Sequence, residues 1–196
     1  MDPTGDEDLR WIHAFLAGDR MAFERLFEKY REKVYGIAYR FVRNREDALE
    51  VAQEVFLRVH QGLSKFKTDA KFFTWLYRIT VNRAIDVSRS RKTRRTLELD
   101  ATDGDGQGLL ESIENPQSDD PADLALRKEF SGRLLDAVQA LPSKHRAVFI
   151  LHAVENLSYK EIADVVGCSI GTVMSRLFYA RKKLQKLLSE YGTVTP

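Results

Sequence analysis

A chain of 196 residues with 43% hydrophobic and 31% charged content is sized for one large domain or two small ones, and the composition is that of a globular protein, not a disordered or fibrous one. The longest uninterrupted apolar run, residues 147–151, is far too short to cross a bilayer, the acidic opening lacks the layout of a signal peptide, and the lone Cys168 excludes an internal disulfide or a Cys-based zinc site. These features predict a cytoplasmic protein with no membrane insertion. The net charge of +2 hides a partition: residues 1–96 hold 20 Lys+Arg against 14 Asp+Glu, residues 97–126 hold nine acids and no Lys or Arg, and residues 127–196 hold 11 basic against 6 acidic residues. Two basic blocks around an acidic strip read as two modules facing polyanions, joined by a polyanion-like tether.

In chain order, Asp19 reads as an N-cap, and Phe23, Leu26, Phe27, Tyr30, Val34, Ile37, Ala38 and Phe41 then recur at three- and four-residue steps, which predicts a helix. A second helix is predicted over 45–63, with Val51, Ala52, Val55, Phe56 and Val59 as its apolar stripe. Residues 66–71 break the period and read as a loop. A third helix is predicted over 72–91, with Phe73, Leu76, Ile79, Thr80 and Ile85 inward. No alternating run argues for a strand, so the first module is a helical bundle and the fold class is all-α.

Residues 97–126, with glycines at 104, 106 and 108 and with Pro116 and Pro121, read as a flexible acidic linker. Its spaced glycines are not a phosphate loop, because no strand precedes them and their neighbours are acidic. A short amphipathic turn is expected at 109–113. Helices are then predicted over 126–140 and 143–154, with Pro142 just inside the start of the latter. Ser158-Tyr-Lys-Glu161 has the form of a capping box, opening a helix that carries Ile162, Ala163, Val165 and Val166 and stops at Gly167. Ser169 can cap a last helix running to about Ser189. The domain boundaries follow as 1–96, 97–126 and 127–196.

Two stretches carry chemistry. Ala163, Gly167 and Val173 have the spacing of a helix-turn-helix: a small residue at the crossing, a left-handed turn, and an apolar residue packing the second helix back. That helix offers Thr172, Ser175, Arg176, Tyr179, Lys182 and Lys183 outward. In the first module Phe66, Phe72, Phe73, Trp75 and Tyr77 are interleaved with Lys65, Lys67, Lys71 and Arg78, followed by Asn82, Arg83 and the basic run 89–95. Unpaired bases need aromatic stacking and their backbone needs cations, so this mixture fits single-stranded nucleic acid. At helical spacing most of these aromatics belong to a core; Phe66, in the loop, is the best candidate for a base contact. A metal enzyme built on Glu24, Glu28, Glu32, Glu50 and Glu54 is the weaker reading, because Arg25, Lys29, Arg31 and Lys33 are interspersed as in a mixed-charge surface. The histidines show no ligand spacing, and no cofactor is expected. A stand-alone helix-turn-helix regulator is the alternative function, but it leaves the first module unexplained.

Residues 47–57 (Asp-Ala-Leu-Glu-Val-Ala-Gln-Glu-Val-Phe-Leu) resemble the core-polymerase-binding region of bacterial sigma-70-type sigma factors, and residues 72–83 (Phe-Phe-Thr-Trp-Leu-Tyr-Arg-Ile-Thr-Val-Asn-Arg) their promoter-melting region. Residues 141–151, 157–163 and 171–177 resemble their −35-reading domain. Length and organisation match the extracytoplasmic-function (group IV) subfamily, which has only domains two and four. The resemblance implies a promoter-specificity subunit, not an enzyme, with core RNA polymerase, promoter DNA and an anti-sigma protein as partners. It implies that Asp47, Glu50, Gln53 and Glu54 engage the clamp helices of the largest polymerase subunit. It assigns Lys65, Phe66, Lys71, Trp75, Asn82 and Arg83 to the −10 element, with Phe66 capturing a flipped base. It assigns Ser169, Thr172, Met174, Ser175, Arg176, Tyr179 and Lys182 to the −35 element. Met174 stands where the family often has Lys or Arg, so a base or phosphate contact is either missing or replaced by an apolar contact with a thymine methyl.

Overall fold

The structure is a computed structural model that describes the backbone of residues 3–67, 71–97 and 121–189, with side chains described for 6–67, 71–91 and 129–189. The described elements are helices: α1 (Pro3–Leu16), α2 (Arg20–Val42), α3 (Arg45–Gly62), a 3₁₀ turn at Leu63–Lys65, α4 (Phe72–Leu97), α5 (Pro121–Gln139), α6 (Ser143–Ala153), α7 (Tyr159–Val166) and α8 (Ile170–Ser189). The chain divides into two compact units, Met1–Asp103 and Gly104–Pro196, and the division falls inside the acidic strip. Most of that strip, including the turn expected at 109–113, lies outside the described residues; α4 and α5 reach into its two ends.

In the first unit, α2 packs on α1, α3 and α4, and α3 packs on α4. Local chemistry sets the ends of these helices. Asp19 caps α2 as expected, accepting a hydrogen bond from the Met21 amide at 3.0 Å, and Asn44 caps α3 by accepting from the Asp47 amide at 2.9 Å. The α2 and α3 stripes are largely as read: Leu26, Tyr30, Val34, Ile37, Ala38 and Phe41 face Val51, Val55, Phe56 and Val59 in one buried core. Phe23 and Ala52 are only partly covered, and Phe27 is 38% exposed, its ring edge-on to Phe56 at 4.7 Å.

Two features differ from the sequence pattern. First, α1 was not anticipated, because its apolar residues span barely three turns behind a polar start; Ile12 is nevertheless fully buried. Second, the inward face of α4 is rotated from the expected one. Phe72, Leu76, Tyr77, Thr80, Val81 and Ala84 are buried, while Phe73, Ile79 and Ile85 are only partly covered. Apolar side chains surround the first turns of α4, so their spacing alone does not select a face. Thr80 tolerates burial because its hydroxyl donates to the Leu76 carbonyl at 2.9 Å.

In the second unit, α8 packs on α5, α6 and α7. Its core is Leu135, Val138, Leu141, Val148, Ile150, Leu151, Ile162, Val165, Val173, Leu177 and Leu184. Pro142 precedes α6 instead of lying inside it: with φ −55° and ψ 141° its carbonyl accepts from the His145 and Arg146 amides. The capping box forms as read, with the Glu161 amide donating to Ser158 Oγ at 3.3 Å and the Ser158 amide donating to Glu161 Oε2 at 3.0 Å. Gly167, at φ +65°, ends α7 in the left-handed region that residues with a Cβ adopt only at a cost. The chain then re-enters a helix under Ser169, whose hydroxyl oxygen accepts from the Thr172 amide at 3.2 Å. The α7–α8 angle is 99°, and no single helix among the described residues is long and apolar enough to cross a membrane.

Candidate nucleic-acid interface

The four acidic or amide residues read on α3 do not form a uniformly solvated face. Glu50 and Gln53 are exposed, but Asp47 and Glu54 are tied to α4. Asp47 Oδ2 accepts from Arg91 Nη1 at 2.6 Å, and Glu54 Oε2 lies 2.5 Å from Arg83 Nε, an ion pair by proximity without the alignment of a hydrogen bond. The second Glu54 oxygen accepts from Arg58 one turn along α3, at 2.5 Å. Residues expected to touch a protein and a residue expected to touch DNA thus share ion pairs across one helix interface. The Glu54–Arg58 pair is legible as an i,i+4 spacing; the two interhelical pairs need the packing of α3 on α4.

At the end of α3 the chain makes its 3₁₀ turn and delivers Phe66 into an aromatic cluster. Its ring is 5.2 Å from that of Trp75 and stands edge-on to Phe72 at 5.9 Å; Phe72 and Trp75 are 6.0 Å apart. Gly62 leaves room for the indole of Trp75, since a Cβ there would lie 3.1 Å from it and press it aside by a few tenths of an ångström. Phe66 and Trp75 remain half-exposed, while Phe72 is buried beneath them. Exposed Lys65 and Lys71 flank the cluster, and Lys71 Nζ sits 5.4 Å from the Phe73 ring. Asn82 is exposed further along α4, beside half-buried Arg83. Residues 68–70 of the expected base-capturing loop lie outside the described residues. A half-open aromatic platform rimmed by cations can stack an unpaired base and hold its backbone.

Sequence reading missed a buried cluster that adjoins Phe72. Asp8 on α1 is 2% exposed; Lys29 Nζ donates to its Oδ1 and Tyr30 Oη to its Oδ2, each at 2.6 Å. The Tyr30 ring stands edge-on to Phe72 at 5.5 Å. No spacing rule connects Asp8 with residues 21 and 22 positions away.

In the second unit the exposed side of α8 presents Ile170, Met174, Ser175, Phe178, Tyr179 and Lys182. Ser169 and Thr172 hydroxyls lie 2.9 Å apart at the helix start, and Ser175 Oγ donates to the Thr172 carbonyl, which leaves its oxygen free to accept. Arg176 is half-buried, with Nη1 directed at Cys168 Sγ at 3.7 Å, so its guanidinium folds back to the turn. Beside this face an open cleft of about 530 Å³ is lined by Leu141, His145, Tyr179, Lys182, Lys183 and Lys186. Partial burial, then the positive fields of Arg176 and Lys183, hold the His145 imidazole below its ordinary value of 6.5, and its Nδ1 has no hydrogen-bond partner among the described residues. An exposed helix at the second position of a helix-turn-helix, with polar groups at its N-terminal end and lysines towards its tail, has the form that enters a major groove.

Comparison with known proteins gives one consistent picture. Residues 26–95 match the family Sigma-70 region 2, and residues 131–184 match Sigma-70, region 4. The RNA polymerase sigma-H factor of Pseudomonas aeruginosa is 37% identical over 190 residues, covering 94% of this chain and 95% of that protein. The ECF RNA polymerase sigma-E factor of Escherichia coli strain K12 is 34% identical over 172 residues, covering 85% and 86%. Among solved structures, CnrH in complex with the cytosolic domain of CnrY superposes with a TM-score of 0.68 at 24% identity, over 95% of this chain and 99% of that one. The sigma factor RpoE of Bartonella quintana, in complex with the anti-sigma factor NepR, gives 0.62 at 21% identity, over 85% and 96%. Those two likenesses establish the fold.

Proposed function

The chain belongs to the extracytoplasmic-function branch of the sigma-70 family, whose members bind core RNA polymerase and direct promoter-specific initiation, and on that premise we propose how its residues divide the work. Domain two spans 1–96, the acidic strip 97–126 is the tether, and domain four spans 127–196. Asp47, Glu50, Gln53 and Glu54 meet the clamp helices of the largest polymerase subunit. Lys65, Phe66, Lys71, Trp75, Asn82 and Arg83 handle the −10 element, where the aromatic platform traps a base once it leaves the stack. Ser169, Thr172, Met174, Ser175, Arg176, Tyr179 and Lys182 read the −35 element as duplex. The protein carries no catalysis of its own, works in the cytoplasm, and is held in reserve by an anti-sigma protein.

One observation carries this reading: the half-exposed Phe66–Trp75 pair between Lys65 and Lys71. A regulator that only grips duplex DNA has no use for it. Extruding a base costs a few kcal/mol, and stacking it on an aromatic returns about 1–3 kcal/mol, so base capture offsets much of the cost and polymerase contacts supply the rest. The experiment is transcription in vitro with core polymerase across a promoter library. Addition of this chain should produce transcripts from a defined −10/−35 class. Phe66→Ala should lower −10 opening about tenfold or more while closed-complex affinity stays near wild type, and a premelted template should restore activity. Sequence-specific DNA binding with no association with core enzyme would overturn the reading in favour of a stand-alone regulator.

A further inference from the structure

We infer that Asp8, on α1, is a positioning residue for −10 melting, acting through Tyr30 and Phe72 on the Phe66–Trp75 platform. The inference rests on the base-trapping reading above and adds to it a residue about sixty positions away in sequence.

The argument starts from the burial of a carboxylate. Asp8 is 2% exposed, and burying such a group is costly unless it is paired and hydrogen-bonded. Here both oxygens are used: Oδ1 accepts from Lys29 and Oδ2 from Tyr30. The Lys29 ammonium also lies 3.3 Å from Glu7 Oε2 and over the Trp11 ring, 5.3 Å from its centroid, so Glu7, Asp8 and Trp11 of α1 all grip this one α2 side chain. If fastening α1 were the only need, the apolar contacts around Ile12 would serve at less desolvation cost.

What the carboxylate adds is direction. A phenol with an anchored hydroxyl cannot slide along its own axis or tip, so the bond to Asp8 fixes where the Tyr30 ring edge lies. The Tyr30 and Phe72 ring centroids lie 5.5 Å apart with the ring planes at 65°, a T-shaped contact. Phe72 is 3% exposed and is the floor on which Phe66 and Trp75 both rest. Edge-to-face aromatic contacts are geometry-dependent, and a buried side chain transmits displacement because the surrounding packing leaves no slack. The buried acid therefore sets the level and tilt of the base-receiving surface.

The test uses the full chain with Trp11→Phe, which leaves Trp75 as its sole tryptophan and emission reporter. Asp8→Asn, Asp8→Ala and Tyr30→Phe are compared with Ile37→Val, a core substitution outside the network that reports the effect of lowered stability alone. Each is measured for thermal melting, Trp75 emission, closed-complex affinity as holoenzyme, and permanganate reactivity at −10. The expected result is that Tyr30→Phe and Asp8→Ala shift Trp75 emission and reduce −10 reactivity by about three- to tenfold, a fraction of the loss for a whole stacking residue, with closed-complex affinity unchanged. Asp8→Asn keeps an acceptor for Tyr30 and should recover most of the reactivity. If the Asp8 and Tyr30 variants lose stability as Ile37→Val does, with Trp75 emission and −10 reactivity at wild-type values, the inference is overturned. Phe66→Ala run in parallel separates this from the reading beneath it. If Phe66→Ala leaves melting intact, base trapping itself falls and takes the Asp8 role with it. If Phe66→Ala impairs melting and the Asp8 and Tyr30 variants do not, only the Asp8 role is lost.

Discussion

Glu54 and Arg83 pose a quantitative question, because one side chain is assigned to polymerase, the other to DNA, and they lie 2.5 Å apart. Their side chains are 29% and 26% exposed, between the surface and the interior. Exposed pairs are worth about 0.2–1 kcal/mol, and removing one partner of a buried pair costs about 3–5 kcal/mol. A coupling of about 1–2 kcal/mol is therefore expected, which is about five- to thirtyfold in the folded-to-unfolded ratio. The assay is a double-mutant cycle with Glu54→Gln, Arg83→Gln and the pair, by urea unfolding. The cycle matters because Glu54→Gln alone also weakens the bond to Arg58, and only the cycle isolates the α3–α4 term. The functional half of the prediction is an exchange. Arg83→Gln should weaken binding of a −10 non-template oligonucleotide and leave core affinity at or above wild type, since Glu54 is released. Glu54→Gln should do the reverse, weakening core binding while freeing Arg83 for DNA. A coupling below about 0.3 kcal/mol would show that the pair is energetically idle. If Arg83→Gln lowers core and DNA binding equally, the pair is scaffold and the exchange is refuted.

Two further predictions follow from the same geometry. Glu50→Lys, on an exposed position, should reduce core co-purification about tenfold or more with an unchanged melting temperature, whereas Asp47→Lys should also lower that temperature because it sets a cation against Arg91. His145 titrates below 6.5 in the folded state, so as pH falls through 6.5 the unfolded chain takes up the proton first and the second unit loses stability until pH passes below the folded value; His145→Gln should flatten the slope of melting temperature between pH 8 and 5.5, and equal slopes would refute the assignment.

The pattern of what was legible follows from the range over which each interaction acts. Asp19, Ser158–Glu161, Gly167 and the α2 and α3 stripes are local: a cap, a turn or a 3.6-residue period writes itself into neighbouring positions. The membership also follows from local runs, because residues 47–57 and 72–83 are contiguous. What failed is non-local. The face of α4 is chosen by competition between two apolar sides, and Phe72 and Tyr77 win over Phe73 and Ile79 only once α2 and α3 are in place. The Asp8 anchor and the Glu54–Arg83 pair join different helices, so no spacing encodes them. The candidate site is thus half legible: its surface residues are readable as types, and the contacts that orient them are not.

The recognition helix turns that distinction into a last prediction. Arg176 has the residue type and position for reading a base edge, but its guanidinium is folded onto Cys168. Sulfur is a weak acceptor and the N–S distance is 3.7 Å, so releasing the arginine into a groove costs little. Met174, 54% exposed two residues earlier, already projects into solvent and offers only apolar contact. If Arg176 reaches a base, Arg176→Ala should cost about 1–3 kcal/mol at one −35 position and relax specificity there. If it stays near the turn and meets phosphate, the loss should be uniform across sequences and the salt dependence of binding should fall by about one counterion. Met174→Ala should cost up to about 1 kcal/mol, confined to a thymine, because only a methyl contact is lost. Binding of holoenzyme to a randomised −35 library, at two salt concentrations, resolves all of these. Unchanged preference at every position in Met174→Ala would remove it from the reading surface. The −35 sequence would then be carried by Ser175, Thr172 and whichever arrangement Arg176 adopts on DNA.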